Sequence, residues 1–263
     1  MATSDSAEYL AKKRFFASLL TIYGRKPVLE ALEDRAIPVY RLHLATSNSE
    51  GGVVRDIERL AAERGIEIIR HSRESLSRIS KNRNQDQGVA ADLECPRYRH
   101  YRDFLAERDP AQPFELIALD RITNPQNLGM IIRSVAASPI AGILLPTKGC
   151  APLSPLVIKA SAGTLFRCPI LRCENLDAAL ADFRGAGGAV CVLSGGAHQD
   201  LGEFQPTGSV VYVLGNETDG VSERVMALAD TRVRIPMANG VESLNVAVTA
   251  ALLAFRGVVA RGP

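Results

Sequence analysis

Apolar positions along this chain recur in two registers, one suited to strands and one to helices, and their alternation outlines two α/β regions. In the first region the pattern predicts helices over 27–35, over 53–64 and near Leu76, interleaved with strands over 40–45, 66–69 and 89–93. In the second, longer apolar runs predict strands over 116–119, 142–145, 170–172, 189–193, 210–214 and 232–235. Helices are expected between them over 128–137, 155–160, 176–184, 221–229 and 245–259. Strands that are apolar almost throughout, alternating with helices, predict a parallel sheet covered on both faces. Between the regions, 95–113 is charged, runs through Arg97, Tyr98, Arg99, His100, Tyr101 and Arg102, and reaches Pro110 and Pro113; it reads as a linker. Its tyrosines are suited either to stack on nucleobases or to pack against a domain. The first 20 residues read as a polar, weakly amphipathic leader, disordered or docked as a helix. The expected organisation is a leader (1–20), a small α/β domain (21–94), a linker (95–113) and a larger α/β domain (114–263).

Three polar clusters stand where predicted strands of the larger region end. They are Asn127-Leu128-Gly129 with Arg133, then Leu214-Gly215-Asn216-Glu217 with Gly220, then Ile235-Pro236-Met237 followed by Ser243-Leu244-Asn245. Open α/β sheets bind ligands at the carboxyl ends of their strands, so the three loops imply one shared pocket. Gly215 would let the main chain approach a ligand closely. A helix beginning near Leu128 would keep Arg133 at the pocket mouth, within reach of a phosphate. Plainer readings stand beside these: core packing for the apolar residues, a helix-surface arginine, and a helix N-cap for Ser243. No Gly-x-Gly-x-x-Gly follows the first strand of either region, which argues against a conventional dinucleotide-binding enzyme.

Composition narrows the setting. With 263 residues, 46% hydrophobic and 23% charged, the chain has the make-up of an ordinary soluble protein of one large or two modest domains. No apolar run approaches the roughly 18 residues of a membrane helix, the N-terminus lacks a signal-peptide layout, and the cytoplasm is the expected compartment. Cys95, Cys150, Cys168, Cys173 and Cys191 are odd in number without Cys-x-x-Cys spacing, and the four histidines are scattered; buried, reduced thiols and no metal are expected. The net charge of +2 does not advertise a nucleic-acid partner. Locally, Arg70, Arg73, Arg78, Lys81 and Arg83 face a single acid, Glu74, between Arg70 and Asn84, a pattern for a solvated helix face or a phosphate-contacting strip.

In this order and spacing, the three clusters resemble the three motifs of the SpoU/TrmH family of RNA ribose 2'-O-methyltransferases, in the SPOUT superfamily. Lys159-Ala160-Ser161-Ala162-Gly163-Thr164-Leu165-Phe166 is similar to the family's Ala-Ser-Ala-Gly segment. Ile22-Tyr23-Gly24-Arg25-Lys26-Pro27-Val28 resembles the start of the small RNA-binding domain many members carry, and Asp86-Gln87-Gly88-Val89-Ala90-Ala91 its end in the 23S ribosomal RNA guanosine subgroup.

The resemblance implies a C-terminal trefoil-knotted methyltransferase domain with a parallel sheet, a small N-terminal α/β (L30e-like) RNA-binding domain, and a homodimer with active sites built across two knotted domains. It implies S-adenosyl-L-methionine as cofactor, bordered by Leu214, Gly215, Ile235, Met237 and Leu244, with Leu193-Ser194-Gly195 as a further wall. It assigns Arg133, Asn127, Glu217, Ser243 and Asn245 to catalysis, and gives weight to Arg73, Arg78, Lys81 and Arg83 as RNA contacts. A guanidinium of pKa above about 12 is a poor proton acceptor, so holding phosphate and orienting the hydroxyl rank above proton abstraction for Arg133. The implied activity is ribose 2'-O-methylation of ribosomal RNA, a 23S guanosine favoured; the alternatives are a transfer RNA 2'-O-methyltransferase or an inactive RNA-binding protein of the same fold. Two departures from the family pattern stand out: Asn239 where glycine is common, and Ser138-Pro139 where Phe-Gly is usual.

Overall fold

A four-stranded sheet organises the chain as far as Pro96, and an eight-stranded sheet the remainder from Arg97. The computed structural model describes residues 12, 15–16, 18–48, 51–95 and 97–259; the expected leader falls mostly outside them.

In the first unit, β1 (Leu19–Tyr23), α1 (Arg25–Glu33), β2 (Val39–Ala45), α2 (Val53–Glu63), β3 (Glu67–His71), α3 (Arg73–Ser80) and β4 (Val89–Glu94) follow in order. The strands lie as β1-β4-β2-β3, with only β2 and β3 parallel. β1 is not among the predicted strands, because its first two residues fall within the expected leader. Arg64, just beyond α2, closes the end of α1: its guanidinium donates to the carbonyls of Ala31, Leu32 and Ile37 at 3.1, 2.8 and 2.6 Å, supplying donors a helix end lacks.

A polar ladder crosses this sheet. Thr21 Oγ1 donates to Asp92 Oδ1 (2.7 Å) and Arg41 Nη2 to Asp92 Oδ2 (3.0 Å), while His43 Nε2 lies 2.9 Å from Asp92 Oδ2 and its Nδ1 2.9 Å from His71 Nε2. Burial alone would raise the Asp92 carboxyl, but the bonds from His43, Thr21 and Arg41 hold it at about 2. An ionised Asp92 only accepts, so His43 Nε2 donates to it. His71 is held below its ordinary value by burial, then by His43 and Arg41.

The second unit runs β5 (Tyr98–His100), α4 (Tyr101–Glu107), β6 (Glu115–Leu119), α5 (Pro125–Ala136), β7 (Gly142–Pro146), α6 (Pro155–Ala160) and β8 (Ile170–Cys173). It continues through α7 (Leu176–Gly185), β9 (Ala189–Leu193), β10 (Gln199–Asp200), β11 (Val210–Leu214), α8 (Glu223–Met226), β12 (Thr231–Arg234) and α9 (Val246–Val259). The sheet order is β10-β12-β9-β11-β6-β7-β8-β5, and every pairing is parallel, as the apolar strands predict.

The segment 95–113 is therefore not a linker over most of its length. β5 pairs with β8 as the edge strand, and Tyr101 is buried with its hydroxyl 2.6 Å from Asp182. Tyr101 packs in the core and cannot stack on a base. The run looked like a linker because an edge strand tolerates charge on its open side; Arg99 pairs with Glu107 and Arg102 with Asp182.

Strand alternation divides the second core in two. Leu116, Ala118, Val190, Val192, Val211 and Val213 pack with Leu180 and Phe183 of α7 and Val225 of α8. The alternate residues face the layer of α5, α6 and α9; there Arg256 of α9 stands over the buried Tyr212 ring. Within that layer, a Cβ on Gly129 would lie 2.5 Å from the Ala160 Cβ and 2.8 Å from the Val157 carbonyl oxygen. Gly129 thus sets how closely α5 and α6 approach. Among the described residues no disulfide forms; four of the five cysteines are buried, and burial pushes the Cys173 and Cys191 thiols up to about 12.

Candidate active site

Because β12, β9 and β11 are neighbours and parallel, the loops after them open along one edge of the sheet. They enclose a cleft of about 370 Å³, within the range of small-molecule sites. Leu193, Ser194 and Gly195 form one wall, and Leu214, Gly215, Glu217 and Thr218 a second. Arg234, Ile235, Met237, Glu242, Ser243 and Leu244 form the third, and Thr249 of α9 also borders the cleft. Leu214, Gly215, Ile235, Met237 and Leu244, expected to meet a cofactor, all lie here.

The role of Gly215 differs from the expectation. A Cβ there would fall 2.2 Å from the Gly220 carbonyl carbon and 2.3 Å from the Val221 nitrogen, so the room it leaves is filled by the loop's own backbone. Asn216 and Gly220 exchange backbone hydrogen bonds of 3.0 and 2.9 Å. The Asn216 side chain fixes the loop further, accepting from Thr218 N at 2.8 Å and donating to the Arg121 carbonyl at 3.0 Å. Arg121 donates to the Gly220 carbonyl and Asp120 accepts from Ser222 N (2.6 Å), so the end of β6 clamps the loop after β11. Asp120 and Arg121 are not among the predicted site residues; an acid–base pair directly after an apolar strand is the signal that marks them.

In the third loop, Val241 N donates to the Ala238 carbonyl (3.1 Å) across Asn239 (φ 55°) and Gly240 (φ 72°). Two central residues with positive φ give the turn type that Asn-Gly favours, which is how Asn239 is accommodated. After α5, Ser138 closes the helix with its hydroxyl on the Val135 carbonyl (3.0 Å), and Pro139 follows.

The first cluster meets the other two through one side chain. Asn124 caps α5, accepting from Gln126 N at 2.8 Å, with Pro125 at the first helical position; the helix therefore begins three residues before Leu128. This places Asn127 in the first turn, 6% exposed. Its amide nitrogen donates to Glu217 Oε1, and its oxygen accepts from Asn245 Nδ2 at 3.1 Å. Asn245 in turn caps α9, accepting from Ala247 N (2.9 Å), so the cap falls to Asn245 and not to Ser243, which sits exposed on the cleft wall. The earlier helix start carries Arg133 two turns along α5, exposed and outside the lining of the cleft. Within one chain the three clusters do not line a single pocket: two line the cleft, and the first is hydrogen-bonded to them through Asn127.

The cleft fits S-adenosylmethionine by the chemistry it presents. Strand-end backbone and aliphatic side chains suit a purine and its ribose, and the carboxylates of Glu217 and Glu242 suit a ligand bearing positive charge. In the first unit, Arg73 is committed to the fold: its guanidinium pairs at 3.1 Å with the fully buried Asp86, which also accepts from Ser80 Oγ and Gly88 N at 2.9 Å. Arg78, Lys81 and Arg83 are exposed and, among the described residues, in no ion pair.

Comparison with known proteins accords with this architecture. Residues 115–255 match the SpoU rRNA Methylase family, and residues 21–99 match the RNA 2'-O ribose methyltransferase substrate binding family. A protein of Mycolicibacterium smegmatis named as an uncharacterized tRNA/rRNA methyltransferase is 37% identical over 233 residues, 88% of this chain and 74% of the relative. The SpoU methyltransferase AviRb from Streptomyces viridochromogenes, crystallised with AdoMet, superposes with a TM-score of 0.60 at 26% identity, over 95% of this chain and 93% of AviRb. An AdoMet-bound rRNA methyltransferase from Sinorhizobium meliloti gives 0.61 at 25% identity, over 98% and 92%. With its larger α/β unit matched almost from end to end, this chain belongs to the SpoU rRNA methylase family.

Proposed function

We propose that this protein transfers the methyl group of S-adenosylmethionine to a ribose 2'-hydroxyl of ribosomal RNA, a 23S guanosine being the favoured target, and that it works as a homodimer in the cytoplasm. The observation that carries the reading is the Asn127 bridge, which fastens α5 to the Glu217 loop and to the start of α9 beside the cleft. Bound in that cleft, the cofactor supplies an electrophilic methyl group. Leu214, Gly215, Ile235, Met237 and Leu244 hold it at the strand ends. Glu217, fixed by Asn127, accepts from the 2'-hydroxyl and orients its oxygen, and Ser243 shapes the cleft wall. Arg133 holds a substrate phosphate through its planar pair of donors. Orientation of this kind contributes up to roughly 7–11 kcal/mol to barrier lowering in favourable cases. In the first unit, Arg78, Lys81 and Arg83 contact RNA.

The position of Arg133 outside the lining of its own cleft supports the homodimer. On the same layer, Met130 of α5 and Val248 and Leu252 of α9 are 41%, 49% and 45% exposed, a high value for apolar residues on two packed helices. A second copy covering this face would bring its cleft toward Arg133, which lies three residues beyond Met130 and so beside it on α5. The test is transfer from labelled S-adenosylmethionine to ribosomal RNA fragments and to transfer RNA, with ribose methylation mapped in the product. Methylation of a 23S guanosine is expected; transfer confined to transfer RNA would overturn the target, and no transfer to either RNA would overturn the activity. Mixing Arg133→Ala with Asn245→Ala protein should restore part of the activity each lacks, whereas no restoration after subunit exchange would overturn the shared site.

A further inference from the structure

One stretch of the second unit is devoid of acid. From Arg121 to Cys173 there is no Asp or Glu, while six basic residues occur: Arg121, Arg133, Lys148, Lys159, Arg167 and Arg172. The chain carries 29 acids in 263 residues, so a span of this length would ordinarily hold about half a dozen. Two of the six cations are used within the fold: Arg121 with Asp219 and the Gly220 carbonyl, and Arg172 with Glu174. The other four are exposed and, among the described residues, in no ion pair.

Three of these four gather around α5. Gly129 brings α6 against α5 at Ala160, and the short 3-10 turn Thr164–Phe166 packs on α5 as well. Arg133 leaves α5 one turn after Gly129, roughly 6 Å along the axis. Lys159 immediately precedes Ala160, and Arg167 immediately follows the turn. The backbone joining them is tightly specified: Ala162 and Gly163 both take positive φ, and Ser161 is fully buried with its hydroxyl on the Ile158 carbonyl. In this layer α5 packs on α9 on one side and on α6 on the other. Apart from Leu156, the exposed apolar residues of its helices lie on α5 and α9, while the uncompensated charge lies on α5 and toward α6. Lys159 near the end of a short helix would complement the helix dipole. That accounts neither for Arg167, which lies outside any helix, nor for the missing acids.

We propose that this acid-free stretch carries a phosphate track of the methyltransferase unit, in which Lys159 and Arg167 grip backbone phosphates of the substrate RNA on the side of Arg133 nearer α6. The proposal rests on RNA being the substrate. A stretch that contributes no acid and offers cations from α5, from α6 and from just after the 3-10 turn fixes the register of the strand without reading its bases. The track thereby presents the target ribose to Arg133, and it acts separately from the RNA contacts of the first unit.

The experiment compares Lys159→Gln/Arg167→Gln with the unsubstituted protein, using a fluorescein-labelled transcript of the ribosomal RNA fragment that serves as methyl acceptor. Affinity is measured by anisotropy over a series of salt concentrations, and transfer kinetics in parallel. Loss of two phosphate contacts should lower the slope of log K against log salt by about 1.4 for single-stranded RNA to 1.8 for duplex. KM for RNA should rise, with kcat at saturating RNA and the affinity for S-adenosylmethionine unchanged. Arg232→Gln, which removes an exposed cation from β12 outside the stretch, should keep the original slope. An unaltered slope and KM in the double variant would overturn the track while leaving the methyltransferase reading intact. Failure of the unsubstituted protein to bind RNA would overturn both.

Discussion

Two polar networks, one in each unit, are built alike and do opposite things. Asp92 and Asn127 are both nearly buried, and each joins side chains from separate elements. Around Asp92 the network stays within the sheet: Thr21, Arg41 and His43 all bond to the one carboxylate, which is held at about 2, the state expected of a satisfied structural acid. Around Asn127 the bonds lead outward to Glu217 on the cleft wall and to Asn245, the exposed cap of α9. A polar network closed on itself stabilises the fold; one that ends on exposed groups beside a cleft leaves those groups open to a ligand. The largest carboxylate shift therefore marks structure here and not the cleft.

The comparison can be broken most directly at Arg133. Arg133→Ala should lower methyl transfer by about two to three orders of magnitude, the range for removing an oriented donor from an active site. Cofactor affinity, read by calorimetry, should be unchanged, and Arg133→Lys should recover little because one ammonium cannot replace a planar pair of donors. Near-normal transfer by Arg133→Ala would return this residue to an ordinary helix surface.

Next in size is Gly215→Ala. Its Cβ would fall on backbone that cannot move without opening the Asn216–Gly220 bridge, so cofactor binding should be lost along with stability of about 1–3 kcal/mol. Calorimetry and thermal unfolding together read this outcome. Retained affinity and stability would show that the loop yields easily and does not shape the cleft.

The Asp92 network should respond to pH without touching transfer chemistry. With its folded pKa at about 2 against an ordinary 3.8, Asp92 contributes stability fully present above 3.8 and lost as pH falls toward 2. The amount is roughly 2 kcal/mol. His71, held below its ordinary 6.5, acts in the same direction: its protonation favours unfolding as pH falls below 6.5. Asp92→Asn should flatten the acid limb of the stability curve in denaturant titrations while kcat at neutral pH stays unchanged. A fall in kcat with stability unaffected would reverse the roles given to the two networks. The smallest effect is expected at Asn239→Gly, within about 0.5 kcal/mol, since glycine relieves positive φ but frees the unfolded chain; a loss above 1 kcal/mol on thermal unfolding would mean that the Asn239 side chain holds the turn.

Local pattern carried much of this protein. The apolar runs at 189–193 and 210–214 coincide with β9 and β11, and 155–160 with α6, because buried parallel strands write their apolar runs directly into the sequence and Pro155 marks the helix start. The strand-end breaks at Gly215 and Ile235 do lie on one cleft, since parallel neighbours must open their loops on the same edge. Pattern failed where polarity had a tertiary explanation. Tyr98–His100 reads as linker because an edge strand tolerates charge, and Arg73 reads as a free cation because its partner, Asp86, is brought to it only by folding.

By itself, then, the sequence determined the alternation of elements, the parallel sheet and the residues able to form a site, all of which follow from neighbours in the chain. Only the tertiary structure decided which groups meet: that Asn127 joins Glu217 and Asn245 across 90 and 118 residues of chain, that the space beside Gly215 belongs to Gly220 and Val221, and that Arg133 lies outside the lining of its own cleft. Such contacts depend on how strands are ordered and helices packed, and no periodicity along a single chain encodes that order.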